Sequence, residues 1–339
     1  MRQARLALRI DSPLREESMS VPSWQSRVVH LLVRARMRPH AFEPIDPAWV
    51  RLNMGRPRVA RRFMARSTGA SVEQVPAGGR WPGGERLSWP NAVTSVGAGS
   101  NSQPVILYLH GGGFIACSPE THRPLVGSLV RRTGWTAYVP AYRLAPEHPY
   151  PAALDDAMLA YEHLVHDLAI DPARIVVTGD SAGGGLALAL VMSLRDRGIA
   201  LPAALVLFSP WTDLAATGAS LDENSDRCAM FAGDTIRRAS RFYVGEQDPR
   251  HPLLSPLYGA YEGLPPILLH ASHDEVLRDD TLRVAERARA AGVHVTLRMW
   301  RGVPHVWQFF AAVLPEARES LSDAVHFMRH AVGAEGSRG

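Results

Sequence analysis

An α/β fold with a mostly parallel sheet, covered by helices on both faces, is what this sequence predicts. Short, wholly apolar runs rich in β-branched residues recur along it, and most are followed by a longer stretch with helical spacing. Strands buried on both faces read as continuous apolar runs, which points to a parallel sheet rather than an open antiparallel one. The composition agrees: 339 residues, 46% hydrophobic and 21% charged, suit one large domain with an appendage or two modest domains.

Residues 24–37 and 47–64 read as amphipathic helices with Pro39 and Pro44 between them. Strands are expected at 71–75 and 85–89, with turns at Gly78-Gly79 and Gly83-Gly84, before a polar loop at 97–103. A strand at 105–109 runs into His110-Gly111-Gly112-Gly113-Phe114. Strands at 135–141, 174–178, 203–208, 267–271 and 295–300 then alternate with helices at 152–168, 181–197, 277–291 and 315–331. The interval 212–264 breaks this rhythm, with polar turns and a helix near 234–243, and reads as an insertion between two strands.

Every basic residue is arginine, which excludes a P-loop lysine, a Schiff-base lysine and a Ser-x-x-Lys site. The net charge is only +4, and Arg34, Arg36 and Arg38 alternate with apolar residues at helical spacing. That pattern is a solvated helix face, and no nucleic-acid partner is expected. No apolar run approaches the roughly 20 residues that span a bilayer, so stable membrane insertion is not expected. Residues before Met19 lack the apolar core of a secretory signal. Cys117 and Cys228 lie far apart with no zinc-type spacing, and the expected setting is a reducing cytoplasm, with no metal and no cofactor.

Chemistry is carried by Gly179-Asp180-Ser181-Ala182-Gly183, which joins an expected strand to an expected helix. A serine on such a turn projects its hydroxyl beyond the strand end, and small neighbours avoid clashes there. Ser181 is therefore the candidate nucleophile. The N–H groups of Gly112, Gly113 and Ala182 are candidates for an oxyanion hole, since a tetrahedral intermediate needs preorganised donors. A serine hydroxyl also needs a base and an orienting carboxylate. His305 follows the strand at 295–300 and precedes a helix, and Asp274 follows the strand at 267–271, in the order Ser, Asp, His. Glu275, Asp279 and Asp280 compete with Asp274, but acidic residues in the first turns of a helix are favoured by its dipole anyway. Phe114, Trp211, Val29 and Leu32 are candidate pocket walls, with ordinary core packing as the alternative, and Asp180 completes the candidate substrate-binding set.

These segments, with Tyr142-Arg143-Leu144-Ala145-Pro146-Glu147 and Ser209-Pro210-Trp211-Thr212-Asp213, resemble the hormone-sensitive-lipase-like branch of the α/β-hydrolases, the bacterial family IV esterases. The resemblance implies an eight-stranded, mostly parallel sheet with a helical cap, and hydrolysis of short- to medium-chain acyl esters without a cofactor. It divides the chain into a poorly ordered extension (1–18), N-terminal cap helices (19–70), a catalytic domain (71–211 and 265–333), a cap insertion (212–264) and a tail (334–339). Two positions depart from the common pattern: His273-Asp274-Glu275-Val276 around the acid, and Trp307 after the base. The variant is similar to members acting on ε-lactones, so the expected partner is a small ester or lactone. A homodimer is compatible with this reading. A rival class is a non-catalytic ligand receptor on the same fold.

Overall fold

The computed structural model describes residues 21–38, 43–54, 69–89 and 103–333. The expected extension at 1–18, the 47–64 helix beyond residue 54, most of the 97–103 loop and the 334–339 tail fall outside these residues. Eight strands form one sheet: β1 (Ser71–Val75), β2 (Gly84–Ser88), β3 (Val105–Leu109), β4 (Thr136–Pro140), β5 (Ile175–Asp180), β6 (Ala204–Phe208), β7 (Ile267–Ser272) and β8 (Val295–Trp300). Their spatial order is β1-β2-β4-β3-β5-β6-β7-β8. β2 pairs antiparallel with β1 and β4, and all pairings from β4 to β8 are parallel.

β3, β5, β6 and β7 are buried along their whole length, as their largely apolar sequences require. Successive side chains nevertheless feed two different cores. Val105, Leu107 and Leu109 pack with helices α4 (Ala152–Glu162), α5 (Ala182–Asp196) and α7 (Arg278–Ala290). Ile106 and Tyr108 pack on the other face with α3 (Pro119–Thr133) and α8 (Pro315–Ala331). The sequence pattern did not anticipate α3. Its prolines, Pro119 at the first turn and Pro124 within the helix, disguise the apolar stripe Leu125, Val126, Leu129, Val130. Thr121 Oγ accepts the Ser118 N–H at 3.0 Å and satisfies one open donor at its start.

Helices α1 (Trp24–Met37) and α2 (Pro47–Met54) lie outside the sheet layers. α1 seats its Ser26–Val29 face on the segment following β8. Ser26 Oγ donates to the Gly302 carbonyl at 2.5 Å, and Val29 packs with Trp300, Val303 and Trp307. The 212–264 interval holds a helical turn at Ser220–Glu223, one longer helix, α6 (Gly233–Val244), and a 3₁₀ turn at Pro256–Tyr258. Among the described residues no helix is long and apolar enough to cross a membrane.

β3 is the position where the chain order of the parallel strands reverses, with β4 on one side and β5 on the other. In open α/β sheets the crevice at such a switch point, outside the carboxyl ends of the strands, is where ligands bind. Both glycine-bearing motifs emerge there.

Candidate active site

Ser181 sits between β5 and α5 with φ +52° and ψ −124°, a conformation that non-glycine residues rarely adopt. Neighbouring strands hold it in place: its N–H donates to the Phe208 carbonyl at 2.9 Å, and its own carbonyl accepts the Trp211 N–H at 2.8 Å. The flanking glycines are sterically required. A Cβ on Gly183 would run into the carbonyl oxygens of Leu109 and His110, and one on Gly179 into the backbone of Gly183.

That close approach also brings the glycine loop beside the serine. Leu109 is paired in register with Gly179, so residues 110–112 emerge next to residues 180–182. Gly112 takes φ +119°, where a Cβ would run into the Ala116 carbonyl, and Gly113 and Phe114 take φ +65° and +62°. Among the described residues, the N–H groups of Gly112, Gly113 and Ala182 make no hydrogen bond. Three open donors therefore lie around the serine, the arrangement a developing oxyanion needs.

The loop is braced from beneath. Asp180 is buried and accepts from Tyr108 Oη at 2.8 Å and from the Gly111 N–H at 3.0 Å, with His122 Nε2 at 3.2 Å. Burial opposes the charge on Asp180, but His122 and the Tyr108 hydroxyl outweigh it and hold the carboxyl below the usual range. This corrects the expectation for Asp180: its oxygens are turned to the scaffold and not to a ligand. His110 stacks on Tyr142 with ring centroids 4.2 Å apart, and Tyr142 Oη donates to the His110 carbonyl at 2.5 Å. Burial and the neighbouring His122 push the His110 imidazole down to about 3, so it is neutral and serves as packing.

His305 is 3% exposed and lies in the loop after β8. Its Nδ1 is 2.5 Å from Oε2 of Glu275, whose Oε1 accepts the Ser272 N–H at 2.8 Å. The expected acid therefore needs correction from Asp274 to Glu275. Asp274 Oδ2 accepts the Gly302 N–H at 2.6 Å, and its own N–H donates to Ser272 Oγ at 3.2 Å. Asp274 thus staples the turn leading to His305, while the glutamate one residue later extends beneath the imidazole. The other competing carboxylates are engaged elsewhere. Asp279 accepts the Ser220 N–H at 2.9 Å, and Asp280 accepts the Thr212 and Asp213 N–H groups at 2.7 and 2.8 Å. His305 Nε2 is buried and has no hydrogen-bond partner among the described residues, leaving one ring nitrogen open.

Phe114 and Trp211 are both buried, with ring centroids 6.2 Å apart, and the Trp211 ring lies 3.9 Å from where a Cβ of Gly113 would be. Two aromatic residues from the insertion join them. Tyr243 stacks on Phe114 at 3.7 Å, and Phe231 meets the His305 ring edge-on at 5.4 Å. Nothing in the local sequence marks these two beyond being apolar. Val29 and Leu32 need correction as pocket walls: Val29 is committed to Trp300, Val303 and Trp307, and Leu32 is 66% exposed. Trp307 is likewise fully buried, its ring 5.0 Å from Trp300. Among the described residues no three His, Cys, Asp or Glu side chains are grouped to hold a metal ion.

A family model described as an alpha/beta hydrolase fold matches residues 106–309. An acetyl-hydrolase of Streptomyces hygroscopicus is 42% identical over 228 residues, 67% of this chain and 76% of that protein. An esterase of Acinetobacter venetianus is 36% identical over 68% of this chain and 77% of its own length. Among solved structures, an esterase from the bacterial hormone-sensitive lipase family superposes with a TM-score of 0.79 at 34% identity, covering 93% of this chain and all of that one. With the Ser181 elbow, the open glycine donors and the buried histidine all on this fold, the chain belongs to the hormone-sensitive-lipase-like, bacterial family IV branch of the α/β-hydrolases.

Proposed function

We propose that this protein is a carboxylesterase that cleaves short- to medium-chain acyl esters with Ser181 as nucleophile, His305 as base and Glu275 as the orienting acid. The observation that carries the reading is the buried imidazole, with one nitrogen on the Glu275 carboxylate and the other open. Glu275 fixes the tautomer in which Nδ1 bears the proton, which leaves Nε2 free to accept one from Ser181. As Ser181 attacks the ester carbonyl, the N–H groups of Gly112, Gly113 and Ala182 bind the oxyanion. His305 then returns the proton to the leaving alcohol, and water activated by the same nitrogen releases the acid. The aromatic packing of Phe114, Trp211 and Tyr243 beside Gly113 favours a short acyl group. The acetyl-hydrolase name of a relative agrees with that preference.

The test pairs a series of p-nitrophenyl esters from acetate to dodecanoate, run beside ε-caprolactone, with titration by an organophosphate. Stoichiometric labelling of Ser181, with kcat/KM falling as the chain lengthens, is expected. Faster turnover of the lactone would move the substrate class to cyclic esters. A protein neither labelled nor active would be a receptor on a hydrolase fold.

A further inference from the structure

We propose that Arg51, on cap helix α2, is a positioning residue that locks the oxyanion turn and couples the seating of this helix to the rate of acyl transfer. The proposal rests on the esterase reading above and assigns a residue outside every motif that supports it.

The turn from Gly112 to Cys117 has positive φ at Gly112, Gly113, Phe114 and Cys117, a strained conformation at the two non-glycine positions. Such a turn keeps its donors aimed only if its surroundings over-determine it. Inside the turn, the Ile115 and Ala116 N–H groups donate to the Gly112 carbonyl at 3.2 and 3.0 Å, so Ile115 and Gly112 move together. The Ala145 N–H donates to the Phe114 carbonyl at 2.9 Å and ties the turn to the segment after β4.

Arg51 grips both sides of that tie. Its Nε donates to the Ile115 carbonyl at 2.7 Å and its Nη2 to the Ala145 carbonyl at 2.8 Å. Glu147 holds the other edge of the guanidinium, with Nη1 to Oε1 at 2.8 Å and Nη2 to Oε2 at 2.6 Å. The side chains of Arg51 and Glu147 are 33% and 55% exposed, so their ionic attraction is screened and counts for little by itself. What the pair supplies is orientation: a planar fork aimed at two carbonyls, which the single ammonium of a lysine cannot reproduce. Apart from Arg51, α2 and its approach are anchored by Val50 and Ile45, which pack against the core. Removing the guanidinium therefore frees the turn without removing the helix's hydrophobic anchor.

The experiment compares Arg51→Gln and Arg51→Lys with the unaltered protein on p-nitrophenyl acetate, with active sites counted by organophosphate end point. Displacing hole donors by a fraction of an ångström lowers kcat by about 10- to 100-fold, because a lost donor costs 10²–10³ and this one is only loosened. KM should stay within about threefold, since the ground-state ester leans little on the hole. Arg51→Lys should fall between the two, and millimolar guanidinium, against sodium chloride at equal ionic strength, should raise kcat of Arg51→Gln alone. Unchanged kcat, a rise in KM at constant kcat, or no response to guanidinium would overturn the proposal. A fall in kcat matched by a fall in titratable sites would also overturn it, as misfolding. Absence of activity and labelling in the unaltered protein would instead overturn the esterase reading.

Discussion

Replacing Glu275 by Gln and, separately, Asp274 by Asn decides which carboxylate serves His305. When His305 takes the Ser181 proton, the imidazolium faces a carboxylate oxygen 2.5 Å from Nδ1, in a site where Glu275 is 1% exposed. At an effective dielectric of about 20, unit charges about 4 Å apart attract by about 4 kcal/mol. The amide of Glu275→Gln loses that attraction. It can also turn its NH₂ toward Nδ1, which places the imidazole proton on Nε2, where it cannot accept from serine. Together the two effects cost about 10⁴ in kcat, or about 5.4 kcal/mol, of which the lost attraction accounts for most. Asp274→Asn keeps an oxygen for the Gly302 N–H now accepted at 2.6 Å, so turnover should stay within about threefold. Steady-state kinetics on p-nitrophenyl butyrate, with thermal melts to confirm folding, gives the comparison. If Asp274→Asn lost a thousandfold while Glu275→Gln stayed within tenfold, the assignment of Glu275 would be wrong.

Asp280 gives a pH signature in stability. Burial, and the facing Asp213 carboxylate, push its carboxyl up to about 8, against the opposing Thr212 and Asp213 N–H groups. A carboxyl with a raised folded-state pKa contributes stability that is fully present below about pH 4 and is lost as pH rises through 8. The melting temperature should therefore fall across that window in the unaltered protein and be flatter in Asp280→Asn; equal slopes would reject the argument. Tyr243→Ala removes the ring stacked on Phe114 at 3.7 Å. It should shift the octanoate-to-acetate ratio of kcat/KM upward by about tenfold while costing about 3 kcal/mol of stability, read by chain-length kinetics and urea melts. Gly112→Ala places a methyl group against the Ala116 carbonyl at φ +119° and should abolish turnover with substrate affinity largely retained. A Gly112→Ala protein with ordinary kcat would show that the turn is not sterically fixed.

The parts of the site that were legible in the sequence are those where backbone geometry dictates residue type. Gly179 and Gly183 at the elbow and Gly112 in the loop are positions where a Cβ would overlap a neighbouring backbone. The carboxylate that meets His305 was not legible in the same way. Asp274 and Glu275 are adjacent carboxylates after one strand, and the choice depends on where the Gly302 N–H and the His305 ring come to lie once β7 and β8 pair. Val29 shows a second limit. Helical spacing marked it as an inward-facing residue, but spacing carries no information about whether the facing surface is a pocket or Trp300 and Trp307. Tyr243 and Phe231 were missed because an aromatic side chain in an insertion takes its meaning from its contact, here Phe114 and His305.

Backbone strain carries the site's location more sharply than any single motif. Of the seven non-glycine residues with positive φ among those described, Phe114, Cys117, Ser181, Ser209 and Val306 lie in segments leaving the carboxyl ends of β3, β5, β6 and β8. Each costs of order 1–3 kcal/mol, so the sheet carries several kcal/mol of strain along one edge, offset by the burial of its central strands. Bonds between neighbouring strand ends keep that strain from relaxing. The Ser181 N–H donates to Phe208 O at 2.9 Å, the Ser209 N–H to His270 O at 2.7 Å, and the Val306 N–H to Ser209 Oγ at 3.4 Å. The relay runs from the strand that carries Ser181 to the residue after His305. Ser181 and His305 are therefore held by a chain of hydrogen bonds across the sheet edge, with no direct bond required between them. On the proposed roles, a nucleophile and base carried on a rigid sheet edge have their geometry set before substrate arrives.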